Sequence, residues 1–263
     1  MTNKTANNGR FVWYEQLAKD PEKAIDFYTS VVGWKTQPFN EGEDEDYVMW
    51  VGEQGPLGGV MRLPDEAAKM GTPPHWMAHV QVENVDATAS QIKKLGGKIY
   101  KEPTDIPSVG RFAVIGDPQG ASLSIFTPSE PMTLHDSSKA GEFCWNELMT
   151  SDSAAAFDFY SKIFGWKIIQ EMDMGPMGTY RVFGIGDKQM GGMMTIPKGQ
   201  STPPTWLYYT EIPDLDAAVG RATKNGAKVM NGPMDVPGGG RIAQLTDPQG
   251  AAFALHQAPK KAA

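Results

Sequence analysis

The 263-residue chain holds a single cysteine, Cys144. No disulfide can form within it, and no zinc or iron–sulfur site can be assembled from cysteines alone. Cations are also scarce. Twenty-four Lys and Arg face 31 Asp and Glu, for a net charge of −7. Clustered cations are needed to neutralise phosphates or to hold an anionic bilayer surface, so the balance argues against nucleic acid and against membrane as partners. No stretch of about 20 apolar residues is present to span a bilayer. The polar start, Met1 to Asn8, lacks the apolar segment of a signal peptide, and the chain reads as cytoplasmic. A Gly-Lys-Ser/Thr phosphate loop, a Rossmann fingerprint and a Gly-x-Ser-x-Gly elbow are all missing. What is present is ordinary: 40% hydrophobic and 21% charged residues, in a chain long enough for one large or two average domains.

The dominant signal is internal repetition. Phe11-Val12-Trp13-Tyr14-Glu15 matches Phe143-Cys144-Trp145-Asn146-Glu147 at an offset of 132 residues. At the same offset Ala24-Ile25-Asp26-Phe27-Tyr28 matches Ala156-Phe157-Asp158-Phe159-Tyr160, and Gly33-Trp34-Lys35 matches Gly165-Trp166-Lys167. Thr72-Pro73-Pro74 with Trp76 matches Thr202-Pro203-Pro204 with Trp206, and Asp117-Pro118-Gln119-Gly120-Ala121 matches Asp247-Pro248-Gln249-Gly250-Ala251, both at 130. The ordered matches divide the chain into two homologous domains, 9–131 and 141–259, joined by a polar linker.

Each half divides again. A strand-like run from Phe11 precedes Asp20-Pro21, an N-cap followed by proline at the first helical position. Ala24, Ile25, Phe27, Tyr28, Val31 and Val32 then form one apolar face at helical spacing until Gly33. Short strands are expected at Tyr47–Val51 and Gly59–Leu63. The second unit reads as a strand at Trp76–Val82, a helix at Asp86–Leu95 closed by Gly96-Gly97, and three further strands. Further helices are expected near Asp152–Phe164 and Asp216–Lys224. The class is α+β, with four βαβββ units whose pairs curl into two open barrels. The acidic run Glu41–Asp46 reads as a solvated loop tip, and Cys144 as a small apolar residue on the strand face opposite Trp145.

The pattern Asp-x-x-x-Ala-x-Asp-Phe-Tyr-x-x-x-x-Gly-Trp, followed by Asp-Pro-Gln-Gly-Ala before the last strand, resembles the vicinal oxygen chelate superfamily. That superfamily contains glyoxalase I, bleomycin-resistance proteins and extradiol dioxygenases. The resemblance covers nearly the whole chain and implies two glyoxalase-like barrels, each around a ligand cleft, often with a divalent metal. The ligand positions it implies carry Trp13, Met77 and Ser124 in the first half, and Trp145, Leu207 and Ala254 in the second. An indole N–H donates only, and divalent transition metals call for imidazole or carboxylate. The expectation is therefore no metal cofactor at the family position.

A two-residue step along a strand keeps the same face. It brings in Glu15, Glu147, His79 and Tyr209 as polar groups, with Glu15 and His79 as the candidate catalytic pair. Glu15 and Glu147 read as polar residues fixed in a barrel mouth, as ligand contacts, or as members of a displaced metal site. Arg111 and Arg241 share the frame Asp-x-Pro-x-x-Gly-Arg. They suit either a bidentate clamp on a ligand anion or pairing with nearby aspartates. The candidate ligand-binding set is Trp13, Met77, Arg111, Ser124, Trp145, Glu147, Leu207, Tyr209 and Arg241. The function this suggests is binding of a small hydrophobic or aromatic molecule, as bleomycin-resistance-like proteins do. The alternative is a metal-dependent lyase, dioxygenase or hydroxylase using a displaced divalent metal at Glu15 and His79. A small molecule is the expected partner, and monomer and homodimer both fit.

Overall fold

The computed structural model describes residues 7–39 and 47–259. The acidic run Glu41–Asp46 lies outside them. Four βαβββ units follow one another. The first is β1 (Phe11–Ala18), α1 (Pro21–Val31), β2 (Lys35–Pro38), β3 (Tyr47–Gly52) and β4 (Gly55–Arg62), followed by a short helix, α2 (Asp65–Lys69). The second is β5 (His75–Gln81), α3 (Val85–Lys94), β6 (Lys98–Ile106), β7 (Gly110–Gly116) and β8 (Ser122–Pro128). The third is β9 (Phe143–Thr150), α4 (Ser153–Phe164), β10 (Lys167–Asp173), β11 (Thr179–Ile185) and β12 (Lys188–Thr195). The fourth is β13 (Thr205–Glu211), α5 (Leu215–Lys224), β14 (Lys228–Asp235), β15 (Arg241–Thr246) and β16 (Ala252–Gln257).

The strands form two mixed eight-stranded sheets, ordered β2-β3-β4-β1-β5-β8-β7-β6 and β10-β11-β12-β9-β13-β16-β15-β14. Within every βαβββ unit the first strand runs parallel to the last, and the remaining pairs are antiparallel. A crossover helix permits the parallel pairing. The anticipated helix starts are capped as the sequence suggests. Asp20 accepts from the Lys23 N–H, Asn84 and Asp214 do the same at α3 and α5, and Asp152 accepts from two N–H groups at α4. Gly165 ends α4 at φ +71°, a conformation costly for a residue with a Cβ. Strand β2 was anticipated only in the βαβββ count and given no position, and helix α2 was not anticipated, because neither buries a residue and no apolar periodicity marks them.

Two compact units emerge, each built from segments of both sequence halves. The first takes the described residues up to Val12, Met77–Leu134 and Trp145–Leu207. The second takes Trp13–Trp76, His135–Cys144 and the described chain from Tyr208. In the first, Phe11 stacks on Trp166 at 5.5 Å, Trp166 on Phe183 at 4.4 Å, and Tyr160 meets Trp206 edge-on at 5.5 Å. In the second, Phe143 lies 5.4 Å from Trp34, Trp34 lies 5.4 Å from Trp50, and Tyr28 meets Trp76 at 5.1 Å and 90°. Such pairs add about 0.5–1.5 kcal/mol each beyond area burial. Trp34 and Trp166 donate to the carbonyls of Gly141 and Gly9, so the two post-helix tryptophans are core residues.

Candidate functional site

The repeated motifs meet one another in each unit. In the first, Asp117 Oδ1 accepts the N–H groups of Gln119, Gly120 and Ala121 at 2.7–3.0 Å, a turn closed on its own carboxylate. Its Oδ2 accepts from the Tyr160 hydroxyl at 3.1 Å, which in turn accepts from Trp206 Nε1 at 3.2 Å. Gln119 reaches the start of α4, accepting from Thr150, Ser151 and the Asp152 N–H. The second unit repeats this. Asp247 accepts from the N–H groups of Gln249 and Ala251, from Tyr28 at 3.2 Å and from Gln16 at 3.0 Å. Trp76 donates to Tyr28, and Gln249 holds both the N–H and the carbonyl of Asp20. The Phe-Tyr, Pro-Pro-x-Trp and Asp-Pro-Gln-Gly motifs are therefore mutually satisfied buried polar groups. Burial holds both Asp carboxyls above the usual carboxylate value.

Arg111 donates to Asp86 at 2.8 and 2.9 Å and to Asp105 at 2.8 Å. Arg241 donates to Asp216 at 2.7 and 3.0 Å, with Asp235 at 3.8 Å. Of the aspartates that sequence proximity offers as partners, Asp105 and Asp235 reach the arginines, whereas Asp117 and Asp247 are taken by their own turns and by Tyr160 and Tyr28. Asp86 and Asp216, from the first turns of α3 and α5, were not anticipated. Beside Arg241 a cavity of about 390 Å³ is lined by Asp214, Asp216, Asp235 and Gln257 as well.

The remaining repeated residues build a second, smaller network in each unit. In the second unit Trp13 and Glu15 lie two apart on β1 and share a face. Trp13 Nε1 donates to the Tyr47 hydroxyl at 2.8 Å, and that hydroxyl hydrogen-bonds Glu15. Glu15 is the Cα partner of Gly59 on β4, so the Tyr47 ring crosses the intervening strand to reach it. Only glycine allows this: a Cβ on Gly59 would stand 2.1 Å from Tyr47 Oη. The first unit duplicates every part. Trp145 Nε1 donates to Tyr180 at 2.8 Å, Tyr180 donates to Glu147 Oε1 at 2.9 Å, and Glu147 pairs with Gly192, whose Cβ would stand 2.1 Å from Tyr180 Oη.

Chemistry fixes the direction of both chains. An indole N–H only donates, so the phenol accepts from tryptophan and must donate to the carboxylate. Burial and the Glu15 charge push the Tyr47 hydroxyl well above its ordinary value, and burial and Glu147 do the same to Tyr180. Each phenol therefore stays protonated and each glutamate stays an oriented acceptor. His75, half-buried in the second unit, is held below its ordinary value by burial, against the Pro73 carbonyl and the Glu15 charge. Tyr47 and Tyr180 are missing from the residues that motif reading singled out. Their signal is a tyrosine twelve residues before the second glycine of Gly58-Gly59 and of Gly191-Gly192.

The other candidates are distributed as follows. His79 and Ser124 are buried Cα partners on β5 and β8 of the first unit, with Met77 buried on β5. Phe112 and Phe126 flank the His79 imidazole at 6.3 and 6.2 Å, and Ser124 donates to the Ala113 carbonyl. Leu207 is half-buried on β13. Tyr209, in the second unit, pairs with Ala254 and accepts from Gln244 Nε2 at 2.6 Å. Glu15 and His79 belong to different compact units.

Comparison with known proteins agrees with this architecture. The family model described as the Glyoxalase/Bleomycin resistance protein/Dioxygenase superfamily matches twice, at residues 10–125 and 143–255. "Putative glyoxylase CFP32" of Mycobacterium bovis is 31% identical over 95% of both chains. "Anthracycline biosynthesis protein DnrV" of Streptomyces peucetius is 28% identical over 94% of this chain and 92% of that one. Two solved structures share the fold at low identity. The Mn(II)-bound glyoxalase of Novosphingobium aromaticivorans has a TM-score of 0.64 at 13% identity, over 97% of this chain and 83% of that one. The 2,3-dioxygenase LapB of Pseudomonas sp. KL28 has 0.63 at 12%, over 94% and 91%. With both halves matched and a relative above 30% identity along almost its full length, this chain belongs to the Glyoxalase/Bleomycin resistance protein/Dioxygenase superfamily.

Proposed function

We propose that this protein binds a small hydrophobic or aromatic molecule, with Glu15 and Glu147 as the polar anchors. The observation that supports this is the relay Trp→Tyr→Glu, built twice at the strand position where the family resemblance places a first metal ligand. There the two indole N–H groups are spent on phenols and offer no electron pair. Met77, Ser124, Leu207 and Ala254 add no imidazole or carboxylate, so the donor set at those positions does not fit a divalent ion. A carboxylate held by a phenol is instead an acceptor for a phenolic, enolic or amide hydrogen, with indole surface beside it for a flat ring. His79, Ser124, Tyr209 and the paired arginines are further contacts in this reading.

Titration with an anthracycline, followed by quenching of tryptophan fluorescence and by calorimetry, tests the proposal. The probe is chosen because one relative is named for anthracycline biosynthesis. Hydrogen bonds to charged groups contribute about 1.5–3 kcal/mol. Replacing both Glu15 and Glu147 with Gln is expected to weaken binding by at least about tenfold while the circular dichroism spectrum holds. Unchanged affinity in that variant, or no binding by the parent of the anthracycline or of simpler phenols, would refute the reading.

A further inference from the structure

Cys144, Glu211 and His256 stand 67 and 45 residues apart, and no sequence motif joins them. They come together in the second compact unit, on β9, β13 and β16, which are consecutive in their sheet. Glu211 and His256 are Cα partners across the parallel pair. One ligating atom from each residue, thiol sulfur, carboxylate oxygen and imidazole nitrogen, lies within 4.8 Å of the other two. Cys144 is thus not the apolar strand residue the sequence suggested. Its Sγ donates to the Tyr209 carbonyl at 3.4 Å and its neighbour is a carboxylate.

We propose that these three side chains form a site for a borderline divalent ion of the zinc and cobalt type, with the fourth position open to water. A sulfur, nitrogen and oxygen donor set of three suits such an ion at an open tetrahedral site. The supporting groups are in place. Glu211 is only 7% exposed. Its Oε1 accepts from the Ala258 N–H at 2.8 Å while Oε2 meets His256 Nδ1 at 2.5 Å, so the carboxylate is fixed before any ion arrives. The His256 side chain is 25% exposed, which gives an entry. Gly240 borders the imidazole: a Cβ there would lie 2.6 Å from Nε2, so glycine keeps that edge clear.

Without an ion the Cys144 thiol donates its proton in a hydrogen bond to the Tyr209 carbonyl. Loading exchanges that proton for the ion, as coordination requires a thiolate. The other half of the chain supplies an internal control. The residues matching Cys144, Glu211 and His256 are Val12, Gln81 and Phe126. They offer neither thiolate, carboxylate nor imidazole, so one ion per chain is expected.

The test titrates the full-length, chelator-treated protein with Co²⁺ and then displaces it with Zn²⁺. A thiolate-to-cobalt absorption band saturating at one equivalent is expected. Cys144→Val, which installs the residue of the other half, should abolish the band and leave the circular dichroism spectrum and thermal midpoint unchanged without metal. Glu211→Gln and His256→Gln should each weaken binding at least tenfold, whereas Glu15→Gln with His79→Ala should leave it intact. No thiolate band, or one-equivalent cobalt binding that survives Cys144→Val, overturns the proposal. Neither outcome bears on anthracycline binding, so the two readings fail separately.

Discussion

Replacing Gly59 with Ala tests whether the Tyr47 ring really crosses β4 to reach Glu15. The new methyl would stand 2.1 Å from Oη, 2.3 Å from Cζ and 2.7 Å from Cε1 of Tyr47. The Gly59 backbone has no left-handed φ, so alanine is strained only by that ring. The ring must leave. The Trp13–Tyr47 bond then goes, at about 1 kcal/mol, and so does the bond to ionised Glu15, at about 1.5–3 kcal/mol. Alanine returns about 0.5–1 kcal/mol through reduced chain entropy in the strand. The net loss is about 2–3 kcal/mol, read as a lower urea midpoint at constant slope. The discriminating measurement is the double-mutant cycle. In Tyr47→Ala the ring is already absent, so adding Gly59→Ala should only return the about 0.5–1 kcal/mol of chain entropy, and the coupling should equal the two lost bonds, about 2.5–4 kcal/mol. Additivity within about 0.5 kcal/mol would show that the ring and the glycine do not share this space. Gly192 and Tyr180 should reproduce the cycle.

Three further outcomes are expected. Tyr28, Tyr47 and Tyr180 have folded-state hydroxyls raised well above 10 by burial, so their stabilising contribution is full below the unfolded value and lost as pH rises beyond it; in an alkaline titration of phenolate absorbance these groups should appear late, with unfolding, and Tyr47→Phe with Tyr180→Phe should remove two of the late-titrating groups. Phe159→Ala should cost about 3–5 kcal/mol, because the ring is 4% exposed beneath α4, and a loss below about 1 kcal/mol in reversible unfolding would contradict that packing. Arg111→Ala should cost under about 1 kcal/mol, since Asp86 and Asp105 are largely exposed, and a loss above about 2 kcal/mol would mean the pair does more than the surface geometry indicates.

The architecture was legible because its determinants are local and repeated. Asp20-Pro21, Asn84, Asp152 and Asp214 announce helix starts through their own side chains, and Gly33, Gly96 and Gly165 announce the ends. Strand β2 was illegible because all four of its residues face solvent, which leaves no alternation to read. The polar face of β1 and β9 was partly legible: Trp13, Glu15, Trp145 and Glu147 stand out by strand period, but their partners sit on β3 and β11, one strand beyond the glycines they share. A contact over a glycine has no sequence pattern except its recurrence. The aspartate partners of Arg111 and Arg241 were half legible for a similar reason. Asp105 and Asp235 lie in the motif, whereas Asp86 and Asp216 come from helices 25 residues upstream. The Cys144, Glu211 and His256 cluster had no signature at all, being assembled by strand order and not by spacing.

The polar ties between the motifs bear on how such a chain can diverge. Asp117 accepts from Tyr160, which accepts from Trp206, and Asp247 accepts from Tyr28, which accepts from Trp76, so each carboxylate is answered by groups from the opposite half. A half-length polypeptide would carry its own Asp-Pro-Gln-Gly turn without those partners and could satisfy it only against another copy. Identical copies must accept every substitution twice. Fusion removes that constraint: the glue stays duplicated while its neighbours differ, as Gln16 corresponds to Leu148, His79 to Tyr209, and Val12 to Cys144 at equivalent positions of the two halves. Covalent linkage thus turns a symmetric framework into one whose two lobes can be specialised independently.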